Sequence, residues 1–222
     1  TLAAAITLTV VEPTSNGLGS DAFALVWDGE KLHGLNGSGR SPRAWTPERF
    51  SGFRQMPDLG WDAVTVPGVV AAWARLSRKF GSLPFEKLFD PALDYAENGY
   101  MVSPITAARW STTPELYREF PEFKETFLPN DRAPRPGERF RCPDQAASLR
   151  SIAASHGESF YRGDLAQKII GCSQSADGVM NQDDLAEHQS QWVKPISIQY
   201  GEVRLHEIPP NGQGLAALIA LG

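Results

Sequence analysis

The chain has 222 residues, 41% hydrophobic and 21% charged, the composition of an ordinary globular protein able to bury a sizeable core. A formal net charge of −5, with no lysine- or arginine-rich run, argues against a general affinity for nucleic-acid phosphates. The apolar opening Leu2 to Val11 is far shorter than the roughly 20 residues of a membrane-spanning helix, and Cys142 and Cys172 suggest neither a disulfide framework nor a four-ligand metal site.

Taken in order, Leu2 to Val11 reads as a core helix that gives way to a Gly/Ser/Asn-rich loop, Thr14 to Ser20. Ala22 to Trp27 and Lys31 to Leu35 read as strands joined by an Asp28-Gly29 turn, and a loop carrying Arg40 follows. Pro67 opens a helix through Val70, Trp73 and Leu76 that Gly81 closes. Pro84 begins a short turn around Phe85, Leu88 and Phe89, and the spacing of Trp73, Phe80, Phe85 and Phe89 marks them as core. Asp90-Pro91 reads as an N-cap and first turn for a helix that Asn98-Gly99 ends, and Ser103-Pro104 repeats the start signal for a helix that Pro114 interrupts. A helical turn through Leu116 and Phe120 follows, and Leu128 to Pro143 has no apolar period and reads as an irregular connection. Asp144 is expected to cap a helix through Leu149 and Ile152, Asp164 to head another through Leu165 and Ile169, and Asn181 with Asp184 resembles a capping box. Trp192-Val193 leads into a second hairpin, Ile196 to Tyr200 and Val203 to Ile208, and the loop Pro209 to Gly214 delivers the chain to an apolar helical stretch.

Self-contained catalytic motifs are missing. There is no GxSxG, HExxH, CxxC or P-loop, and Gly17-Leu18-Gly19 is a fragment of GxGxxG with Ala22 in the third glycine position. His33, His156, His188 and His206 lack ligand spacing and read as surface or strand-edge histidines, so neither metal nor cofactor is expected. Thr1 would carry its own base if its α-amine were free, yet it begins a helical run of alanines with nothing to complete a site. The first residues read as mid-helix, and Leu215 to Leu221 as the start of an apolar helix of about two turns that needs more chain or a partner to cover it. An internal portion of a longer polypeptide is the expectation.

The succession VVEPTSNGLGSDAFALVWDG, NGSGRSP, VTVPGVVAAW, FGSLPFEKLFDPALDYAENGYMVSP, SFYRGDLAQKI and EIPPNGQG resembles the large-subunit part of the gamma-glutamyltransferase family, in one collinear order across nearly the whole chain. The resemblance implies an α+β fold, the αββα sandwich of N-terminal-nucleophile hydrolases. Residues 1–222 would form a single domain, a mostly helical internal part of the large subunit contributing a few central strands. It also implies a precursor that cuts itself, freeing a threonine at the start of a small subunit. That threonine attacks a γ-glutamyl or glutaryl-type amide, and the acyl group passes to water or an amine. No catalytic residue would lie in this chain, which would be inactive alone, and its partners would be the small subunit and a small-molecule amide. A truncated, non-catalytic chain of the same fold is the competing expectation, and the compartment stays open.

In that family the large subunit supplies an arginine for the substrate's α-carboxylate, in a segment resembling D-G-R-E-x-A-P. A guanidinium suits the task because it can give a carboxylate two parallel charge-assisted hydrogen bonds. Aligned on Pro42, this chain reads Asn36-Gly37-Ser38-Gly39-Arg40-Ser41-Pro42, with Ser38 in the arginine position, Gly39 in the glutamate position and Arg40 two residues on. Arg40 is thus the candidate for carboxylate recognition, with Ser38 beside it; otherwise Arg40 is structural and the pocket takes another acyl group. Asn211 and Gln213 could face the cleft or satisfy loop backbone, and Glu12-Pro13 with Asn16 could shape a pocket floor or simply turn the chain.

Overall fold

The computed structural model describes residues 1–222, which pack as two units, Thr1–Leu18 with Gly81–His156 and Gly19–Phe80 with Gly157–Gly222. In chain order the elements begin with α1 (Leu2–Val11), β1 (Ala22–Trp27), β2 (Leu32–Gly37), α2 (Val69–Phe80), α3 (Asp90–Asn98) and β3 (Tyr100–Met101). They continue with α4 (Pro104–Trp110), α5 (Thr113–Leu116), α6 (Pro121–Phe127), β4 (Arg139–Phe140), α7 (Pro143–Ala154) and α8 (Glu158–Tyr161). The last are α9 (Asp164–Ser175), α10 (Gln182–Ala186), β5 (Gln191–Val193), β6 (Ile196–Tyr200), β7 (Val203–Glu207) and α11 (Gly214–Leu221).

In the first unit α1 packs on α3, and α3 on α7. Ala92 and Ala96 of α3 are fully buried, as are Ile6 of α1 and Leu149 and Ile152 of α7, so the small residues let the helices approach while the larger ones fill the space. Ser103 caps α4 as its sequence promises, accepting from the Thr106 N–H at 3.1 Å. Asp90 and Asp144 do not cap. Each lies inside the first turn of its helix, where a carboxylate still favours the positive end of the helix dipole. The connection 128–143 is more ordered than its composition suggests: β4 pairs with β3, Tyr100 opposite Phe140. A two-residue strand has no period to read. It forms here because Phe140 packs edge-on to Trp110, ring centroids 4.8 Å apart, and Arg132 grips Glu138 through bonds of 2.8 and 2.9 Å. That grip, with the Arg135 N–H, holds the Glu138 carboxyl down to about 2.

The second unit is built on an antiparallel sheet in the order β1-β2-β5, with α2 on one face. The turn after β1 is tied by Asp28, whose Oδ1 accepts from the N–H groups of Glu30 and Lys31 at 2.9 and 2.8 Å, while Gly29 takes φ 107°. β2 runs to Gly37, past the expected end at Leu35. Asn36 and Gly37 are poor strand formers, but β1 pairs with both and β5 reaches as far as Asn36. Alternation divides the faces. His33, Leu35 and Gly37 look toward α2: the His33 ring meets Phe80 at 5.3 Å, and a Cβ on Gly37 would stand 2.8 Å from the Ala72 Cβ. Phe23, Leu25 and Trp27, opposite Asn36, Gly34 and Leu32, point the other way and are 45, 39 and 63% exposed. β6 and β7 form the second expected hairpin, with Gly201 at φ 58°, and α11 packs on it.

Candidate functional site

Arg40 is placed by backbone rather than by its own side chain. Three segments of the second unit meet there: Ser20-Asp21, Gly37–Arg40 and Val66–Val69. The N–H groups of Gly39 and Gly68 both donate to Asp21 Oδ1, at 2.9 and 3.1 Å; Val66 N–H donates to the Arg40 carbonyl at 3.0 Å; Val69 N–H donates to the Ser20 carbonyl at 2.9 Å. The glycines permit this approach. A Cβ on Gly39 would stand 1.4 Å from the Val66 carbonyl oxygen, and one on Gly68 1.7 Å from the Gly37 oxygen. The NGSG and VPG stretches therefore encode one junction, the first supplying the loop and the second the lead-in to α2 against which it lies.

The Arg40 side chain is exposed and makes no hydrogen bond or ion pair. It borders two adjoining clefts, one with Asp184 and His188, the other with Arg75, Ser190 and Trp192; Glu187 lines both. Asp183 also borders the first; Asp184 and Glu187 are occupied. Asp184 completes the Asn181 capping box of α10, accepting from the Asn181 N–H at 3.0 Å, and its other oxygen accepts from the Arg43 N–H at 3.0 Å. Glu187 pairs with the Arg43 guanidinium. Arg40 is thus a cation without a protein counter-ion at the mouth of the two clefts, an arrangement suited to an anion.

His188 is half-buried rather than a surface residue. Its ring stacks on Tyr161 with centroids 5.3 Å apart, and its Nε2 is buried without a partner. Tyr161 is itself fixed, donating to the Pro67 carbonyl at 2.8 Å and accepting from the Ala71 N–H at 3.0 Å, and burial pushes its phenol pKa up. Burial first, and then the Arg40 charge, hold the His188 pKa below its ordinary value, against an upward pull from Asp21. The sign of the pH effect follows. The unfolded chain takes up this proton near pH ~6.5 and the folded protein only at lower pH, so the stability gained from neutral His188 is full above that value and is lost as pH falls through the native pKa. His188→Phe, which keeps a ring against Tyr161, is expected to flatten the fall in apparent melting temperature between about pH 7 and about pH 5. An unchanged slope would show that His188 does not titrate in this way.

Ser38, Asn211 and Gln213 lie elsewhere. None lines either Arg40 cleft. Asn36 links Ser38 to Asn211: its Oδ1 accepts from the Ser38 N–H at 2.9 Å and its Nδ2 donates to Asn211 Oδ1 at 2.8 Å, on the sheet face away from α2. Gln213 is exposed, and its carbonyl starts α11 by accepting from Ala216 and Ala217 at 3.0 and 3.2 Å. Glu12 turns the first unit's chain through its carbonyl, at 3.0 Å from Ser15 N and 2.9 Å from Asn16 N, and its side chain accepts from the Thr106 hydroxyl. Sequence reasoning missed Arg75, Ser190 and His188. The one available signal was the position of Arg75, one helical turn from Ala72 and Lys79.

The gamma-glutamyltranspeptidase family profile matches residues 1–222. Among similar proteins, the glutathione hydrolase-like YwrD proenzyme of Bacillus subtilis is 37% identical over 217 residues, covering 96% of this chain and 41% of its own length. The oxamate amidohydrolase proenzyme of Klebsiella pneumoniae is 35% identical over 229 residues, covering 100% of this chain and 43% of its own. Cephalosporin acylase from Bacillus halodurans superposes with a TM-score of 0.95 at 49% identity, over 99% of this chain and 43% of that one. Helicobacter pylori gamma-glutamyltranspeptidase superposes with a TM-score of 0.93 at 26% identity, over 98% of this chain and 64% of that one. The chain thus spans about two-fifths of the first two relatives' length. With nearly every residue superposed, its α+β fold is that of an N-terminal-nucleophile hydrolase. Profile, identity and superposition agree, and the chain belongs to the gamma-glutamyltranspeptidase family.

Proposed function

We propose that residues 1–222 are an internal, single-domain part of the large subunit of a self-cleaving amidohydrolase or acyltransferase acting on γ-glutamyl or glutaryl-type amides. The relatives' names, glutathione hydrolase-like, oxamate amidohydrolase and cephalosporin acylase, support amide cleavage as the common chemistry. The nucleophile is a threonine at the start of a small subunit outside this chain, its α-amine serving as base, with the acyl-enzyme resolved by water or an amine. The bare apolar face of Phe23, Leu25 and Trp27 supports a small subunit as the partner that covers it. On its own the chain hydrolyses nothing.

The observation that carries the reading is the unpaired Arg40 guanidinium, carried on a backbone that the glycine junction fixes, beside clefts in which Asp184 and Glu187 are already engaged. In the processed enzyme Arg40 takes the carboxylate of the acyl group. Losing a charge-assisted hydrogen bond costs about 1.5–3 kcal/mol, so Arg40→Ala is expected to lower kcat/KM for glutaryl-4-nitroanilide and γ-glutamyl-4-nitroanilide by about 10- to 100-fold. Hydrolysis of butyryl-4-nitroanilide, which has no carboxylate, should not change. Equal rates for wild type and variant on all three would remove Arg40 from substrate recognition.

A further inference from the structure

The cleft on the α2 side of Arg40 contains more than that residue. Arg75 lines it, and its Nε is buried with no hydrogen-bond partner. Ser190 lines it too, is only 2% exposed, and its hydroxyl also has no partner. Unpaired buried donors are rare because each has given up water without replacement. Two converge here on a single cleft.

Their convergence follows from helix and strand geometry. Ala72 and Ser190 both border Gly37: the Ala72 Cβ lies 2.8 Å, and Ser190 Oγ 3.4 Å, from the point a Cβ on Gly37 would occupy. Lys79, on the same helix face, lies with Nζ 4.1 Å from the Trp192 ring centroid. Arg75 is three residues after Ala72 and four before Lys79, so the helix lays it along Ser190 and the start of β5, between those two contacts. Among the cleft's lining residues the one acid, Glu187, is taken by Arg43.

We propose that Arg75 and Ser190, together with Arg40, form an anion subsite that holds a carboxylate of the substrate. Arg40 approaches from the loop, while Arg75 Nε–H and the Ser190 hydroxyl supply donors from the wall. Two guanidinium groups with no free acid between them favour a carboxylate over a neutral or cationic group. The carboxylate belongs either to the acyl group or to the leaving amine. This extends the reading of Arg40 given under Proposed function, and the test separates the two.

The test uses the full processed enzyme with Arg75→Gln, Arg75→Lys, Ser190→Ala and Arg40→Ala. Calorimetric binding of glutarate, with butyrate for comparison, requires no turnover and so reads the subsite even where the amide chemistry proposed above fails. Glutarate affinity is expected to fall about 10-fold or more in Arg75→Gln, less in Arg75→Lys and Ser190→Ala, with butyrate binding unchanged. Turnover of glutaryl-4-nitroanilide, butyryl-4-nitroanilide and butyryl-3-carboxy-4-nitroanilide locates the carboxylate. A rise in KM confined to the first compound places it on the acyl group, and one confined to the third places it on the leaving amine. If Arg40→Ala weakens glutarate binding while Arg75→Gln and Ser190→Ala leave it intact, the subsite is overturned and the Arg40 reading stands. Equal weakening of glutarate and butyrate in Arg75→Gln, a merely structural effect, overturns the subsite as well.

Discussion

Gly39→Ala is expected to destabilise the protein by more than about 3 kcal/mol, at or beyond the upper end of ordinary overpacking costs. The added methyl would stand 1.4 Å from the Val66 carbonyl oxygen and 2.5 Å from its carbon, both backbone atoms that no rotamer change can move. Relief requires the loop to separate from residues 66–68, which breaks the Val66-to-Arg40 backbone bond and the Gly39-to-Asp21 bond together. The loss is therefore both stability and the aim of Arg40. Gly52→Ala is the control, since nothing lies within 4 Å of its added methyl. Thermal unfolding of the two variants checks this; a Gly39→Ala protein as stable as Gly52→Ala would show that the junction is looser than it appears.

Trp73→Ala is expected to cost about 3–5 kcal/mol, the range for removing a fully buried tryptophan. Trp73 is 2% exposed, on the apolar face of α2 with Val69, Val70 and Ala72, which packs on β1 and β2. The cavity left behind lies under the helix that carries Arg75, so the variant should also bind glutarate more weakly although Trp73 lines neither cleft. Trp73→Phe retains most of the buried area and should recover most of both losses. Denaturation midpoints read the first effect, calorimetry the second. A Trp73→Ala protein with wild-type stability would contradict the packing role.

Much of the architecture could be read locally. The hairpin of β1 and β2 follows from alternating apolar residues around Asp28-Gly29, and the capping box at Asn181 and Asp184 was visible in residue types alone. Errors clustered where pairing decides. β2 extends through Asn36 and Gly37 because neighbouring strands occupy their backbone groups, and β4 exists because Phe140 meets Trp110 and Tyr100. Local propensity contains neither fact. Among the candidate residues Arg40 could be named from sequence, yet Ser38 and Asn211 proved to belong to the Asn36 hydrogen-bond chain and Gln213 to the start of α11. His188 reads from sequence as a surface or strand-edge residue because burial against Tyr161, 27 positions earlier in the chain, leaves no trace near it.

By itself the sequence determined most of the helices, both hairpins, the glycine positions and the motif order that carries the family resemblance, since these depend on backbone conformation and on neighbours within a few residues. Only the tertiary structure decided which charges are free. Arg40, Arg43 and Arg75 are alike in sequence, but folding brings Glu187 to Arg43 and leaves Arg40 and Arg75 without an ion pair. The physical reason is that a counter-ion is chosen by distance in space. Here the deciding contacts join residues more than a hundred positions apart, as Arg43 and Glu187 are.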